Sequence, residues 1–189
     1  MSKLYFVRHG ETVWNMENKI CGATDSPLTE RGREQARETG RLLRSKIDDG
    51  EIAIDEILTS PLSRARDTAE EIAKMTGVPI RVEERLMEQN FGKWESTPRD
   101  GQDFQLAKEN FIDSYDGGES MLRVVQRIYN LLDDLKSQPD KTYLLTAHNG
   151  ISRFIESYFR DRKRPGEICY EQHEFSWRQQ RHFHGSVKT

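Results

Sequence analysis

The chain has 189 residues, of which 34% are hydrophobic and 32% charged, with a formal net charge of -3. That length suits one domain with a sizeable core, and the apolar residues fall in patterned runs that disordered chains lack. An acidic balance argues against a general nucleic-acid or anionic-membrane surface, so an anion site has to be a local pocket of Arg and Lys. The two cysteines, Cys21 and Cys169, have neither CxxC nor metal-type spacing, which suits a reducing, cytoplasmic setting. Met1-Ser2-Lys3 runs straight into a strand, with no signal peptide expected and no apolar run of membrane length.

Residues 3–8 form the first expected strand, an apolar β-favouring run that ends in Arg8-His9-Gly10. Residues 9–28 are expected to be irregular, rich in turn formers such as Asn15, Asn18, Gly22, Asp25 and Pro27. Thr29 is a helix N-cap, followed by Ala36, Gly40, Leu43 and Ile47 at helical spacing until Asp48-Asp49-Gly50. A second strand spans 54–59. Ser60-Pro61 then reads as a helix start, with Ser as cap and Pro in the first helical position. Ala65, Ala69, Ile72 and Ala73 make its buried stripe, Gly77 and Pro79 stop it, and 80–82 is a short third strand.

Residues 85–101 are loop-like, with Phe91 and Trp94 packing beneath, and a weak helix is expected over 102–111. Gly117-Gly118-Glu119-Ser120 breaks the chain. Met121, Val124, Val125, Ile128, Leu131, Leu132 and Leu135 then mark the clearest amphipathic helix. Residues 142–147 form another strand, ending in His148-Asn149-Gly150, and a helix restarts at Ile151. The β-α-β-α-β-α-β-α order calls for an α/β fold with a mostly parallel sheet and helices on both faces. The tail from 160 is charge-dense and polar, with a short edge strand near 168–170. A single domain over 1–189, with its core over about 3–159, accounts for these elements.

Two strands end alike, in Arg8-His9-Gly10 and His148-Asn149-Gly150. In a parallel sheet both ends lie on the edge where ligands bind, so His9 and His148 can face one another. Arg64, on the first turn of the helix after the second strand, and Glu88, after the third, reach the same edge. Two Arg, two His and one Glu make a pocket for a dianion with an acid/base beside it. Plainer readings stand beside this one. Arg8 could form a surface ion pair and His9 sit in a capped loop. Arg64 could pair with Asp67 or Glu71 of its own helix. Glu83, Glu84 and Glu95 compete with Glu88, and Asn15 could be a turn former. His182 and His184 have the spacing of a metal pair but no third ligand nearby.

The chain resembles the histidine phosphatase superfamily, also called phosphoglycerate mutase-like. The resemblance rests on Arg8-His9-Gly10-Glu11-Thr12 with Trp14-Asn15, Pro27-Leu28-Thr29 with Gly32 and Gln35-Ala36, and Ser60-Pro61-Leu62 with Arg64-Ala65 and Thr68-Ala69. It continues through Leu86-Met87-Glu88 with Phe91-Gly92 and Trp94-Glu95, Gly117-Gly118-Glu119-Ser120, and Ala147-His148-Asn149-Gly150. These pieces stand in the family's order. The resemblance implies a three-layer α/β/α sandwich and a metal-independent phosphatase of small phosphorylated metabolites. It implies His9 as a nucleophile that becomes phosphohistidine, with Arg8, Arg64 and His148 on the phosphoryl oxygens. Asn15 would add a hydrogen bond and Glu88 would be the acid and then the base. No metal and no cofactor are implied.

Three positions depart from the family's pattern. Ser96 stands where Gly after Trp-Glu is common, and Asn149 where Gly is frequent. Cys21-Gly22 replaces the small hydroxyl residue and Gly that help hold a substrate carboxylate in the mutases, which makes Cys21 and Gly22 candidate substrate contacts together with Asn149. The runner-up activity is a cofactor-dependent phosphoglycerate mutase. The short segment between Glu88 and His148, and Phe91-Gly92-Lys93-Trp94-Glu95 in place of the mutase continuation, speak against it. The third reading is a non-catalytic phospholigand-binding or regulatory protein. The oligomeric state is not legible.

Overall fold

The computed structural model describes residues 3–138, 140–161 and 169–170. The strands are β1 (Lys3–Arg8), β2 (Glu56–Thr59), β3 (Ile80–Val82), β4 (Tyr143–Ala147) and β5 (Cys169–Tyr170). They form one sheet in the order β3-β2-β4-β1-β5, in which each neighbouring pair of strands is parallel. The helices are α1 (Val13–Met16), α2 (Glu30–Asp48), α3 (Ser63–Thr76), α4 (Gln102–Ala107), α5 (Met121–Lys136) and α6 (Asn149–Asp161).

Alternation along β1 splits the core in two, because successive side chains of a strand point to opposite faces. Leu4 and Phe6 join Leu145 of β4 and the stripe Val124, Ile128, Leu131 and Leu135 of α5, together with Ile151 and Ile155 of α6. Tyr5 and Val7 face the other way, against Leu43 of α2 and Ala69 and Ile72 of α3. Helices therefore cover both faces, as the chain order requires. Full burial of each large aliphatic in these stripes stabilises the fold by roughly 1.5–3 kcal/mol. On the α2–α3 face the two helices meet closely at Gly40, where a Cβ would stand 2.9 Å from Met75 Cγ.

Several boundaries differ from the sequence expectation, each for a local reason. The 9–28 segment contains the short helix α1, closed by a capping box in which Thr12 and Asn15 each bond the other's backbone N–H. Helix α3 begins at Ser63, with Leu62 as its N-cap and no side-chain cap. Ser60 does not cap it, because it lies two residues before the N-cap. β2 begins at Glu56, two residues later than expected, and α4 ends at Ala107. Thr29 and Ser120 do cap α2 and α5, accepting from Gly32 N–H and Arg123 N–H. The edge strand expected near 168–170 is β5. His182 and His184 lie outside the described residues. No helix among those described is long and apolar enough to cross a membrane.

Candidate active site

β1 and β4 are neighbours in register, with Arg8 opposite Ala147. The ladder continues one residue further through a 3.0 Å bond from His9 N–H to Ala147 O. After these strands the chain departs to opposite faces, towards α2 from β1 and into α6 from β4. Adjacent strands that part in this way open a crevice at their C-terminal ends, where α/β sheets bind ligands. His9 and His148 flank it with ring centroids 5.2 Å apart.

His9 is 8% exposed. Its Nδ1 lies 2.7 Å from Gly10 O. A carbonyl can only accept, so Nδ1 carries the proton and Nε2 keeps its lone pair. Burial above all, then the Arg8 and Arg64 charges, hold the imidazole well below its ordinary pKa. The ring is thus neutral at neutral pH and presents a nucleophilic nitrogen. Gly10 is fixed on both sides, since its N–H donates to Thr68 Oγ1 at 3.1 Å. Its missing side chain does not open a path to the ring. A Cβ there would stand 2.3 Å from Gly32 O, so the glycine admits the start of α2 instead.

His148 is fully buried, and its Nε2 lies 2.7 Å from Ser60 Oγ. Leu62 N–H donates to the same oxygen at 3.4 Å. A hydroxyl already accepting from Leu62 can donate its own proton to Nε2, which leaves the ring proton on Nδ1. Nδ1 is buried and has no partner among the described residues. Burial first, then the Arg64 charge, lower the His148 pKa well below the usual value.

Arg64 is 1% exposed and turns away from the acids of its own helix. Asp67 pairs with Arg33, and Glu71 with Arg37 and Lys74. Arg64 instead donates to Gly22 O at 2.7 Å and Thr24 O at 3.0 Å, with Asp25 3.6 Å away. Its Nε is buried without a partner among the described residues. Arg8, half-buried at the end of β1, adds the second guanidinium.

Among the four candidate carboxylates, Glu88 alone is brought to the end of β4. Its Oε2 accepts Gly150 N–H at 2.9 Å and its Oε1 accepts Gln89 N–H at 3.0 Å. Glu83 is tied to Arg85. Glu95 bonds backbone N–H groups of Ala23, Thr24 and Phe91. Asn15 Oδ1 accepts Thr12 N–H, which leaves the amide NH2 for other partners. Cys21, half-buried, donates its thiol to Thr24 O at 3.2 Å, and burial raises its pKa. Gly22 is buried and Asn149 exposed at the start of α6.

Sequence reasoning missed Ser60 as the partner of His148, Thr68 as the anchor of Gly10, and Glu95 as the clamp on the 22–24 loop. For Ser60 the signal was present, because a Ser directly after β2 falls at the same sheet edge as His148. Phe91 and Trp94 pack under the loop as expected, against Phe104 at 5.4 and 6.1 Å.

A buried neutral histidine among arginines, at the C-terminal edge of a parallel sheet, defines a phosphoryl-transfer type of site. Residues 4–185 match the histidine phosphatase superfamily (branch 1), and the chain belongs to that family. It is 33% identical over 159 residues to the probable phosphoglycerate mutase GpmB of Erwinia tasmaniensis, covering 80% of this chain and 71% of that protein. Among solved structures, YhfR of Bacillus stearothermophilus is 30% identical with a TM-score of 0.72, covering 85% of this chain and 81% of that one. A mycobacterial glucosyl-3-phosphoglycerate phosphatase is 30% identical with a TM-score of 0.68, covering 80% and 76%. The latter enzyme is also known in complex with VO3.

Proposed function

We propose that this chain is a phosphomonoesterase that hydrolyses small phosphorylated metabolites through a phosphohistidine on His9. The observation that carries this reading is the neutral His9 ring, with Nδ1–H held by Gly10 O and Nε2 free to attack. In the first step His9 Nε2 bonds to phosphorus as the P–O bond of the ester breaks. Glu88, as the carboxylic acid, gives its proton to the departing oxygen. In the second step the Glu88 carboxylate takes a proton from water, the oxygen attacks phosphorus, and the P–N bond breaks to release inorganic phosphate. Arg8, Arg64 Nε–H and His148 Nδ1–H meet the charge on the equatorial oxygens, where most of the rate enhancement of phosphoryl transfer arises. Asn15 adds a hydrogen bond through its amide. Those cations are side chains, and no group of three or more potential metal ligands occurs among the described residues.

The deciding experiment is a screen of phosphorylated metabolites with chelator present. Phosphate release that survives chelation, is inhibited by vanadate and disappears in His9→Ala supports the hydrolase. The mutase names of several relatives favour a second reading. Interconversion of phosphoglycerates that depends on bisphosphoglycerate would establish it. No phosphate release from any monoester, together with no acid-labile phosphate on His9, overturns both.

A further inference from the structure

The carboxylate of Glu88 accepts two backbone N–H groups, one from its own neighbour Gln89 and one from Gly150. Its place is therefore set by where the chain around it runs. After β3 that chain makes a single 3-10 turn over Glu84–Leu86 and anchors Leu86, fully buried, in the core beside α5. Glu88 lies two residues beyond that anchor.

A second anchor is one ion pair. Arg127 of α5 grips Glu119, the residue ahead of the α5 N-cap, with Nε 2.8 Å from Oε1 and Nη2 2.9 Å from Oε2. Its Nη1 donates to Arg85 O at 2.5 Å, three residues before Glu88. The backbone of Glu119 holds the two residues after Glu88. Glu119 N–H donates to Asn90 O at 2.8 Å, and Glu119 O accepts from the Gln89 side-chain amide at 3.0 Å. Gly118 permits this approach, since a Cβ there would stand 2.4 Å from Asn90 O. The pair thus meets the chain at 85, 89 and 90, on both sides of Glu88.

Its chemistry suits a fixed brace. The Arg127 and Glu119 side chains are only 19% and 22% exposed, and a two-pronged guanidinium–carboxylate contact is strong and directional. Arg85 also reaches Asp134 of α5 at 2.6 Å, but that carboxylate is 65% exposed, and exposed pairs contribute little. A Lys at 127 would keep the charge without the planar fork.

We infer that Arg127 and Glu119 are positioning residues for Glu88, bracing both flanks of the acid so that its carboxylate meets the start of α6. The inference rests on the phosphatase reading, in which Glu88 is the acid, and the effect of the pair on turnover passes through that carboxylate.

Arg127→Met removes all three bonds of the guanidinium. The test compares an alkyl phosphate, whose leaving oxygen needs a proton, with p-nitrophenyl phosphate, whose leaving group does not. Alkyl ester turnover should fall by up to about 100-fold, the cost of displacing a catalytic group by about 1 Å. The first-turnover burst of nitrophenolate should keep its native rate. In a Glu88→Gln background Arg127→Met should lower alkyl turnover no further, because changes that act through one group are not additive. Arg127→Lys should show the same pattern with a smaller loss, and it carries the test if the methionine variant does not fold. Hydrogen exchange at the Gln89 and Gly150 amides should quicken in both variants, which reads the brace without turnover. Equal loss of burst and alkyl turnover, a further loss in the Glu88→Gln background, or unchanged exchange at both amides overturns the brace. Absence of hydrolysis in the native chain overturns the phosphatase reading instead, and the exchange still decides the brace.

Discussion

Gly150→Ala should disable the acid without unfolding the protein. A Cβ at position 150 would stand 2.5 Å from Glu88 Oε1 and 2.8 Å from Cδ. Ordinary contact begins at 3.4 Å, so the carboxylate has to retreat by about 0.9 Å. It then loses its bond from Gly150 N–H, which fixes Oε2 at 2.9 Å. Displacement of a catalytic group by about 1 Å can reduce rate by about 100-fold. Position 150 lies in the first turn of α6, where Ala favours the helix over Gly by up to about 1 kcal/mol. The obstructed group is the end of a flexible side chain rather than backbone, so the melting temperature should hold. The assay compares an alkyl phosphate with p-nitrophenyl phosphate in the native and variant chains. Alkyl ester turnover should fall by about 100-fold. The nitrophenolate leaves without needing a proton, so its first turnover should survive as a burst of one product per chain, followed by slow dephosphorylation. Full activity on the alkyl ester in a correctly folded variant, or equal loss of burst and steady state, would refute Glu88 as the acid held by the start of α6.

Ser96→Gly should raise stability. Ser96 adopts a left-handed φ of 68° while donating its N–H to Ile20 O at 2.9 Å. That conformation costs a side-chain-bearing residue about 1 kcal/mol, so the melting temperature should rise by about 2–4 °C without change in kcat. An unchanged or lower melting temperature would contradict the strain. The two buried histidines set a pH dependence of stability. Their folded pKa values lie below 6.5, so the unfolded chain binds more protons once the pH drops below that value. Stability present above pH 6.5 is lost as the pH falls towards the folded values, with a limiting slope of about 1.4 kcal/mol per pH unit for each histidine. Urea titrations between pH 7.5 and 5 should show a shallower slope in His148→Asn than in the native chain, and equal slopes would remove this source.

The residues that reveal the fold do so by period. Leu4 and Phe6 against Tyr5 and Val7, and the stripe Met121, Val124, Val125, Ile128, Leu131, Leu132 and Leu135, fix the sheet and α5 before any contact is known. The shared Arg-His-Gly and His-Asn-Gly strand ends then bring two imidazoles to one edge. What stayed hidden depends on which partner a polar group finds. Ser60-Pro61 has the form of a helix start, but α3 begins only at Ser63, and the Ser60 hydroxyl lies 2.7 Å from His148 Nε2 while accepting Leu62 N–H at 3.4 Å. Gln35 and Thr39 break the apolar stripe of α2 yet are buried. Gln35 Oε1 accepts Glu11 N–H, and Thr39 bonds back to Gln35 O, so neither is left without a partner. Asn15 is a capping residue of α1, and its amide NH2 is the group that the proposed phosphate contact uses, which no spacing rule separates.

The pocket's readiness follows from what its polar atoms lack. Glu95 holds the backbone of Ala23 and Thr24, and that loop turns the carbonyls of Gly22 and Thr24 to the terminal nitrogens of Arg64. The guanidinium is fixed, and its Nε–H is buried without a partner among the described residues, as is Nδ1 of His148. An unsatisfied buried donor costs about 1–3 kcal/mol in the folded chain. Two such atoms in one crevice are destabilising until acceptor oxygens arrive, and three equatorial phosphoryl oxygens are a matching set of acceptors. Donors already dehydrated and already aimed need no reorganisation when charge develops on those oxygens. In the proposed reaction the strand-end histidine acts as a neutral imidazole, and the charge that develops falls on the groups that surround it.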